Sequence, residues 1–473
     1  MTMLKATFIS AVVAVGVAAQ AQTPATEAAR HVVERLSFGA RPGDVERAAA
    51  MGLDKYIDQQ LNPSRIPDDR VASMLAGFET LGLSSSEMAD RYYSRPGQQP
   101  ADQTTRREAN IPLMELSQQK VLRAAYSERQ LEEVLVDFWF NHFNVFSGKG
   151  QFARFYMTEY EREAIRPHVL GRFRDMLGAT AGSPAMLWYL DNWMSAAAPG
   201  AAAAPPQRRR RGAMRPARPA RPQRPARGLN ENYARELLEL HTLGVDGGYT
   251  QNDVVDVARA FTGWTIDSPR RGGGGFTFNA RMHDDKEKVV LGQRISAGGG
   301  RKDGERVLDI VAAHPSTARH IALKLAARLV SETPPPALVD RAATVFRDSG
   351  GDLRAVTRAI LASPEFTAAA ARRAKVKTPF EFAVSALRAT GAEVRNAAPL
   401  VQQLRALGMP LYGAQPPTGY DDTAAAWINS GALLARMNFA VALADNKIPG
   451  TRVKTVDAKA LALTLGSVEF QRK

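Results

Sequence analysis

Residues 229–264, LNENYARELLELHTLGVDGGYTQNDVVDVARAFTGW, constrain the fold more than any other stretch of this chain. Leu229 to Leu243 winds as an amphipathic helix. At ~100° per residue, Leu229, Tyr233, Leu237 and Leu240 share one apolar stripe, which Ala234 and Leu238 widen. Glu231, Asn232, Arg235, Glu236 and Glu239 share the opposite arc, with Arg235 one turn from both Glu231 and Glu239. Gly244 suits the position after a helix end, because glycine tolerates positive φ. Asp246-Gly247-Gly248 makes a turn, and Thr250 with Asp253 starts a second helix as a capping box. That helix runs to about Phe261, and Gly263 stops it.

Three readings of the block compete. It is an αα-hairpin with a solvated charged arc. Alternatively, Glu236 and Glu239 line a polar site completed by a histidine from elsewhere, since two carboxylates on one face share acid and base roles or bind a metal. Arg235 is then a substrate-binding candidate beside them. A calcium loop at Asp246–Asp253 fails, because Thr242 and Gly244 would fill the first and third ligand positions.

The rest of the chain is read in the same way. Apolar residues at i, i+3 and i+4 predict helices over 105–126, 128–143, 151–166, 168–178 and 184–195. Further helices are expected at 303–313, 316–331, 336–349, 352–362, 379–390, 396–407 and 423–443. Phe276-Thr277-Phe278 and Lys288-Val289-Val290-Leu291, bounded by glycines, predict one small β-hairpin over 276–292. The fold class expected is therefore mostly α.

The N-terminus carries MTMLK, an apolar run and Ala19-Gln20-Ala21. This is the pattern of a signal peptide over 1–21, too short for a comfortable span of ~20 apolar residues. The expectation is an exported protein, periplasmic or extracellular, with no transmembrane span after cleavage. There is no cysteine, which excludes thiol enzymes, thiolate zinc sites and lipid attachment through a lipobox.

Net charge is +14, but nine arginines and no acid lie within 196–228. Without those and Lys5, the remainder carries +4, so nucleic acid is not an expected partner. The same Ala/Pro/Arg segment has no apolar period and is read as a disordered insert, able to make weak contact with anionic surfaces. It divides an N-terminal helical region, 22–195, from a C-terminal one, 229–473, that includes the hairpin.

His142 ends an aromatic helix, FWFNHF, where burial tunes an imidazole as a base or ligand and Asn141 can orient it or touch substrate. His283-Asp284 lies between the two predicted strands, and an adjacent carboxylate fixes a histidine tautomer. Asp191 precedes the insert, close to Glu236 if the insert loops out. The composite expectation is a polar cleft with His142, Glu236, Glu239, His283 and Asp284 as catalytic groups and Asn141, Asp191 and Arg235 as substrate contacts. No metal or cofactor is assigned by these residues.

Several stretches together resemble the bacterial domain of unknown function 1800 family. They are the 229–264 block, HVVERLSFGARPGDVERAAAMGLDKYIDQQL (31–61), FWFNHFNVF (138–146), LWYLDNWMS (187–195), HDDKEKVVLG (283–292), KTPFEFAVSALRATGA (377–392) and PLYGAQPPTGYDDTAAAWINSGALLARMNFA (410–440). The resemblance implies an exported, largely helical protein of unestablished activity, commonly encoded beside a second exported protein that is a candidate partner. Family members often read Trp-His-Asn-His-Phe where this chain has Trp139-Phe140-Asn141-His142-Phe143, so Phe140 replaces one histidine. Two functions follow as expectations. One is an extracytoplasmic hydrolase-like or metal-assisted enzyme. The other is a non-catalytic envelope binding or assembly protein, with the aromatic loop at Pro416–Tyr420 and Trp427 as its contact surface.

Overall fold

A computed structural model describes residues 24–92, 107–150, 152–197, 228–267 and 274–473. The expected signal peptide and nearly all of the Arg-rich insert lie outside the described residues.

The molecule is mostly α-helical. Periodicity located the main helices within a few residues: Ile111–Tyr126, Gln130–His142, Lys302–Ala313, Pro315–Leu329, Pro336–Asp348, Leu353–Leu361, Pro379–Ala389 and Ala398–Ala406. Their starts follow the capping rules. Thr250 and Asp253 form the expected capping box at Gln251–Ala260, and Thr378 with Glu381 forms another at Pro379–Ala389. Helices close in sequence pack against each other, such as Pro315–Leu329 on Pro336–Asp348 and Ser430–Ala444 on Ala458–Gly466. Buried apolar side chains form one cluster reaching from Val32 to Leu465.

The strand pairing departs from expectation. Phe276–Phe278 and Lys288–Val290 are strands, but they do not pair with each other. Phe276–Phe278 pairs with Trp264–Ile266, and Lys288–Val290 pairs with Gln293–Ile295. The cause is local. Leu291 (φ 50°) and Gly292 (φ 75°) both adopt positive φ, the geometry of a two-residue hairpin turn, so the chain reverses at once. A third ribbon joins Glu393–Val394 to Thr451–Arg452.

The predicted helix over 229–243 is also corrected. Residues Asn232–Glu236 are α-helical, and Leu237–Thr242 continue as a π-helix. Leu243 N–H reaches back to the Leu238 carbonyl at 2.9 Å, and the Thr242 hydroxyl to the Leu237 carbonyl at 2.6 Å. The wider turn rotates the last residues relative to a regular helix. His241, four residues after Leu237, is buried, whereas Leu240, assigned to the apolar stripe, is only half-buried.

Candidate active site

The Gln130–His142 helix is buried through Trp139 and Phe140, and it delivers His142 to the floor of a cavity of about 460 Å3. Trp139 and Phe143 both meet the imidazole edge-on, with ring centroids 5.3 and 4.6 Å away. His142 Nε2 lies 3.1 Å from the His241 carbonyl, and His320 Nε2 lies 3.3 Å from the Leu240 carbonyl. Carbonyls only accept, so both imidazoles donate from Nε2 and cap the free carbonyls at the end of the π-helical segment.

Burial, followed by the nearby charge of Lys324, holds the His142 pKa well below the ordinary histidine value. The ring is therefore neutral, and Nδ1 carries its lone pair. Burial likewise lowers His241 to about 3, and burial with Lys324 lowers His320 to about 4.

The charges of the cavity come from four parts of the chain. Lys120, on Ile111–Tyr126, pairs with Asp137 at 2.7 Å and sits over the rings of Phe140, Phe380 and Tyr412. Arg328 is buried and pairs with Glu381 at 2.6 Å, with Asp137 and Asp422 each at 3.6 Å. Lys375 Nζ is 3.1 Å from Asp422. Lys324 differs, since among the described residues no carboxylate lies within ion-pair distance of it. Burial lowers its pKa, against the attraction of Asp422 and Asp421.

The wall facing His142 is the 409–423 segment. Two asparagines fasten it. Asn141 Nδ2 donates to the Tyr420 carbonyl at 2.8 Å, and its Oδ1 accepts from Tyr420 N–H at 2.7 Å. Asn144 Nδ2 donates to the carbonyls of Ala414 and Pro416. Gly419, at φ +74°, passes so close that a Cβ there would lie 2.4 Å from Asn141 Oδ1.

Of the eight side chains expected to share one cleft, this cavity is lined by Asn141 and His142 alone. The amide of Asn141 is used on the loop backbone, so it positions a wall. Glu236 and Glu239 lie elsewhere, half-buried on the 232–242 helix. Burial, then Glu239, raises the Glu236 pKa. Arg235 bridges Glu231 and Glu239 at 3.4 and 3.7 Å, as their spacing foretold. Asp191 pairs with Lys149 at 2.8 Å.

His283 and Asp284 belong to a buried network. His283 Nδ1 is 2.8 Å from the Thr262 carbonyl, and its Nε2 is 3.2 Å from Asp303. Asp303 also binds Lys288 at 2.6 Å, while Asp284 binds Arg259 at 3.0 Å. Both imidazole nitrogens of His283 are thus committed, Nδ1 to the backbone just after the Gln251–Ala260 helix and Nε2 to the start of the Lys302–Ala313 helix.

Sequence reasoning missed Lys120, Asp137, Lys324, Arg328, Lys375 and Asp422. One signal was present. His320, Lys324 and Arg328 recur at i, i+4 and i+8 along Pro315–Leu329, which places three basic groups on one stripe whose members are half-buried or buried. Phe140 packs edge-on to Tyr160 and Tyr412 and helps cage Lys120. Among the described residues, no three His, Cys, Asp or Glu side chains are grouped so as to hold a metal ion.

The fold and cavity define a mostly α-helical protein with a neutral histidine set among buried, paired charges. Residues 31–472 match the family described as "Protein of unknown function (DUF1800)", and the chain belongs to it. No curated protein and no solved structure matches the chain.

Proposed function

We propose that the protein is an extracytoplasmic enzyme of hydrolytic type, working by proton transfer in the His142 cavity. The observation that carries this reading is the pairing of a tautomer-fixed, neutral His142 with Lys324, the cavity cation that lacks a carboxylate partner among the described residues. His142 Nδ1 accepts a proton from a water or hydroxyl, and the Lys324 ammonium offsets negative charge that develops on the substrate. Asp137, Asp422 and Glu381 hold Lys120, Arg328 and Lys375 in place around them. Export rests on the N-terminal sequence pattern.

The test is a panel of chromogenic esters, phosphoesters and glycosides, read with wild type, His142→Gln and Lys324→Met. A general base contributes ~10²–10⁴-fold to rate, so a loss of that size is expected in His142→Gln. The Lys324→Met enzyme should lose turnover with its melting temperature preserved. Wild-type turnover in a folded His142→Gln variant sinks the proposal.

The alternative, a non-catalytic envelope protein that binds a second exported protein, draws on a different surface. Leu434, Met437 and Val441 are exposed along Ser430–Ala444, with Leu463 exposed on the adjoining helix. Such a stripe is more than scattered surface apolarity. The aromatic loop first considered for this role is packed: Tyr420 donates to the Pro410 carbonyl and Trp427 to that of Asp421. Loss of co-purification with the co-encoded protein in Leu434→Asp/Met437→Asp, with His142→Gln still bound, would favour this reading.

A further inference from the structure

A second concavity, of about 290 Å3, is lined by Arg123, Arg162, Arg166, Gln119 and Thr158. Among the described residues no carboxylate lines it, unlike the charge-balanced His142 cavity. Its geometry follows from helical spacing. Gln119 and Arg123 lie one turn apart on Ile111–Tyr126, while Thr158 lies near the end of the Ala153–Glu159 helix, Arg162 in the π-helical turn Tyr160–Ile165 that follows it, and Arg166 at the start of the short 3-10 turn Arg166–His168.

The donors are not equally engaged. Arg166 is held by Glu133 through two bonds at 2.8 and 3.0 Å and by the buried Glu161 at 3.3 Å, which also accepts from Gln119 Nε2 at 3.3 Å, and Arg162 is held by the Leu81 and Leu83 carbonyls and Glu163. Arg123 has an ion pair with Glu133 at 3.7 Å, and its Nε is buried without a hydrogen-bond partner. Thr158 is 2% exposed, and its hydroxyl is also unpartnered. A helical threonine ordinarily satisfies that hydroxyl on the carbonyl four residues back, so an unbonded one beside three guanidinium groups is unusual.

We propose that this pocket binds a phosphate-class oxyanion, independently of the His142 cavity. Guanidinium forks and a hydroxyl approaching from two helices suit a tetrahedral anion with several acceptor oxygens. The fixed pairs of Arg162 and Arg166 preorganise positive charge, and Arg123 and Thr158 supply the free donors. The apolar wall of Leu75 and Leu81 leaves room for an attached organic group.

The experiment is calorimetric titration of the full chain with inorganic phosphate and, separately, phenyl phosphate, at constant ionic strength. Saturable phosphate binding is expected. It should weaken about tenfold or more in Arg123→Gln and several-fold in Thr158→Val, and stay unchanged in His142→Gln. Tighter binding of phenyl phosphate assigns a phosphomonoester group, and equal or weaker binding assigns free phosphate. Absence of saturable heat, equal binding of chloride, or wild-type affinity in a folded Arg123→Gln variant overturns the proposal.

Discussion

His31, His142, His241 and His320 all fold as neutral rings, and that has a measurable consequence. Burial lowers His31 and His320 to about 4 and His241 to about 3, from 6.5, with His142 also well below it. The unfolded chain therefore binds protons that the folded chain refuses. Stability is fully present above pH 6.5 and falls as pH drops toward 4, by ~1.4 kcal/mol per pH unit for each such histidine. Thermal melts across that window should show a steep decline, partly relieved in His320→Gln. A flat profile would show that these rings are not buried neutral.

At this same scale, sequence reading found His142 because aromatic neighbours announce a desolvated imidazole. It did not find Lys324 or Arg328, since a single lysine or arginine in a long helix ordinarily marks a solvated face. Only three-dimensional neighbours, Asp137 and Asp422, turn that stripe into a cavity wall. The expected union of His283 with Glu236 rested on loop position, and the loop instead folds His283 onto Asp303.

Among the elements, the local code was most legible where one residue type has one task. Thr250 caps the Gln251–Ala260 helix by accepting from Asp253 N–H, so Thr250→Ala should cost ~1 kcal/mol in chemical denaturation. The π-helix was not legible, because its sequence, LLELHT, is equally compatible with an ordinary turn. Tertiary partners reward the wider geometry. Two imidazoles, one from Gln130–His142 and one from Pro315–Leu329, bond its terminal carbonyls, a setting in which π-turns recur near functional sites. The 409–423 wall depends similarly on one backbone position. Gly419→Ala meets both the left-handed φ and the Asn141 contact, so it should cost at least ~1 kcal/mol. It should also lower turnover in the cavity. An unchanged melting temperature in that variant would mean the wall is not held as described.

At the scale of the whole molecule, the core is continuous across the Arg-rich segment: Trp193 and Leu190 before it share a hydrophobic cluster with Tyr233 and Leu237 after it. The chain's two ends around that segment also meet. Ala196 N–H donates to the Gly228 carbonyl at 3.2 Å, and Asn230 N–H to the Ser195 hydroxyl at 3.2 Å. A segment whose flanks are already hydrogen-bonded contributes no span to the fold. Its closure entropy changes only slowly with length, by ~0.6 kcal/mol per doubling. Replacing residues 200–227 with a short Gly/Ser linker should therefore leave the melting temperature within a few degrees. It should also remove nine positive charges. Binding to anionic vesicles, if the segment supplies it, should then disappear at low salt while turnover persists. Loss of folding on this replacement would show that the segment packs on the core, and would end its reading as an insert.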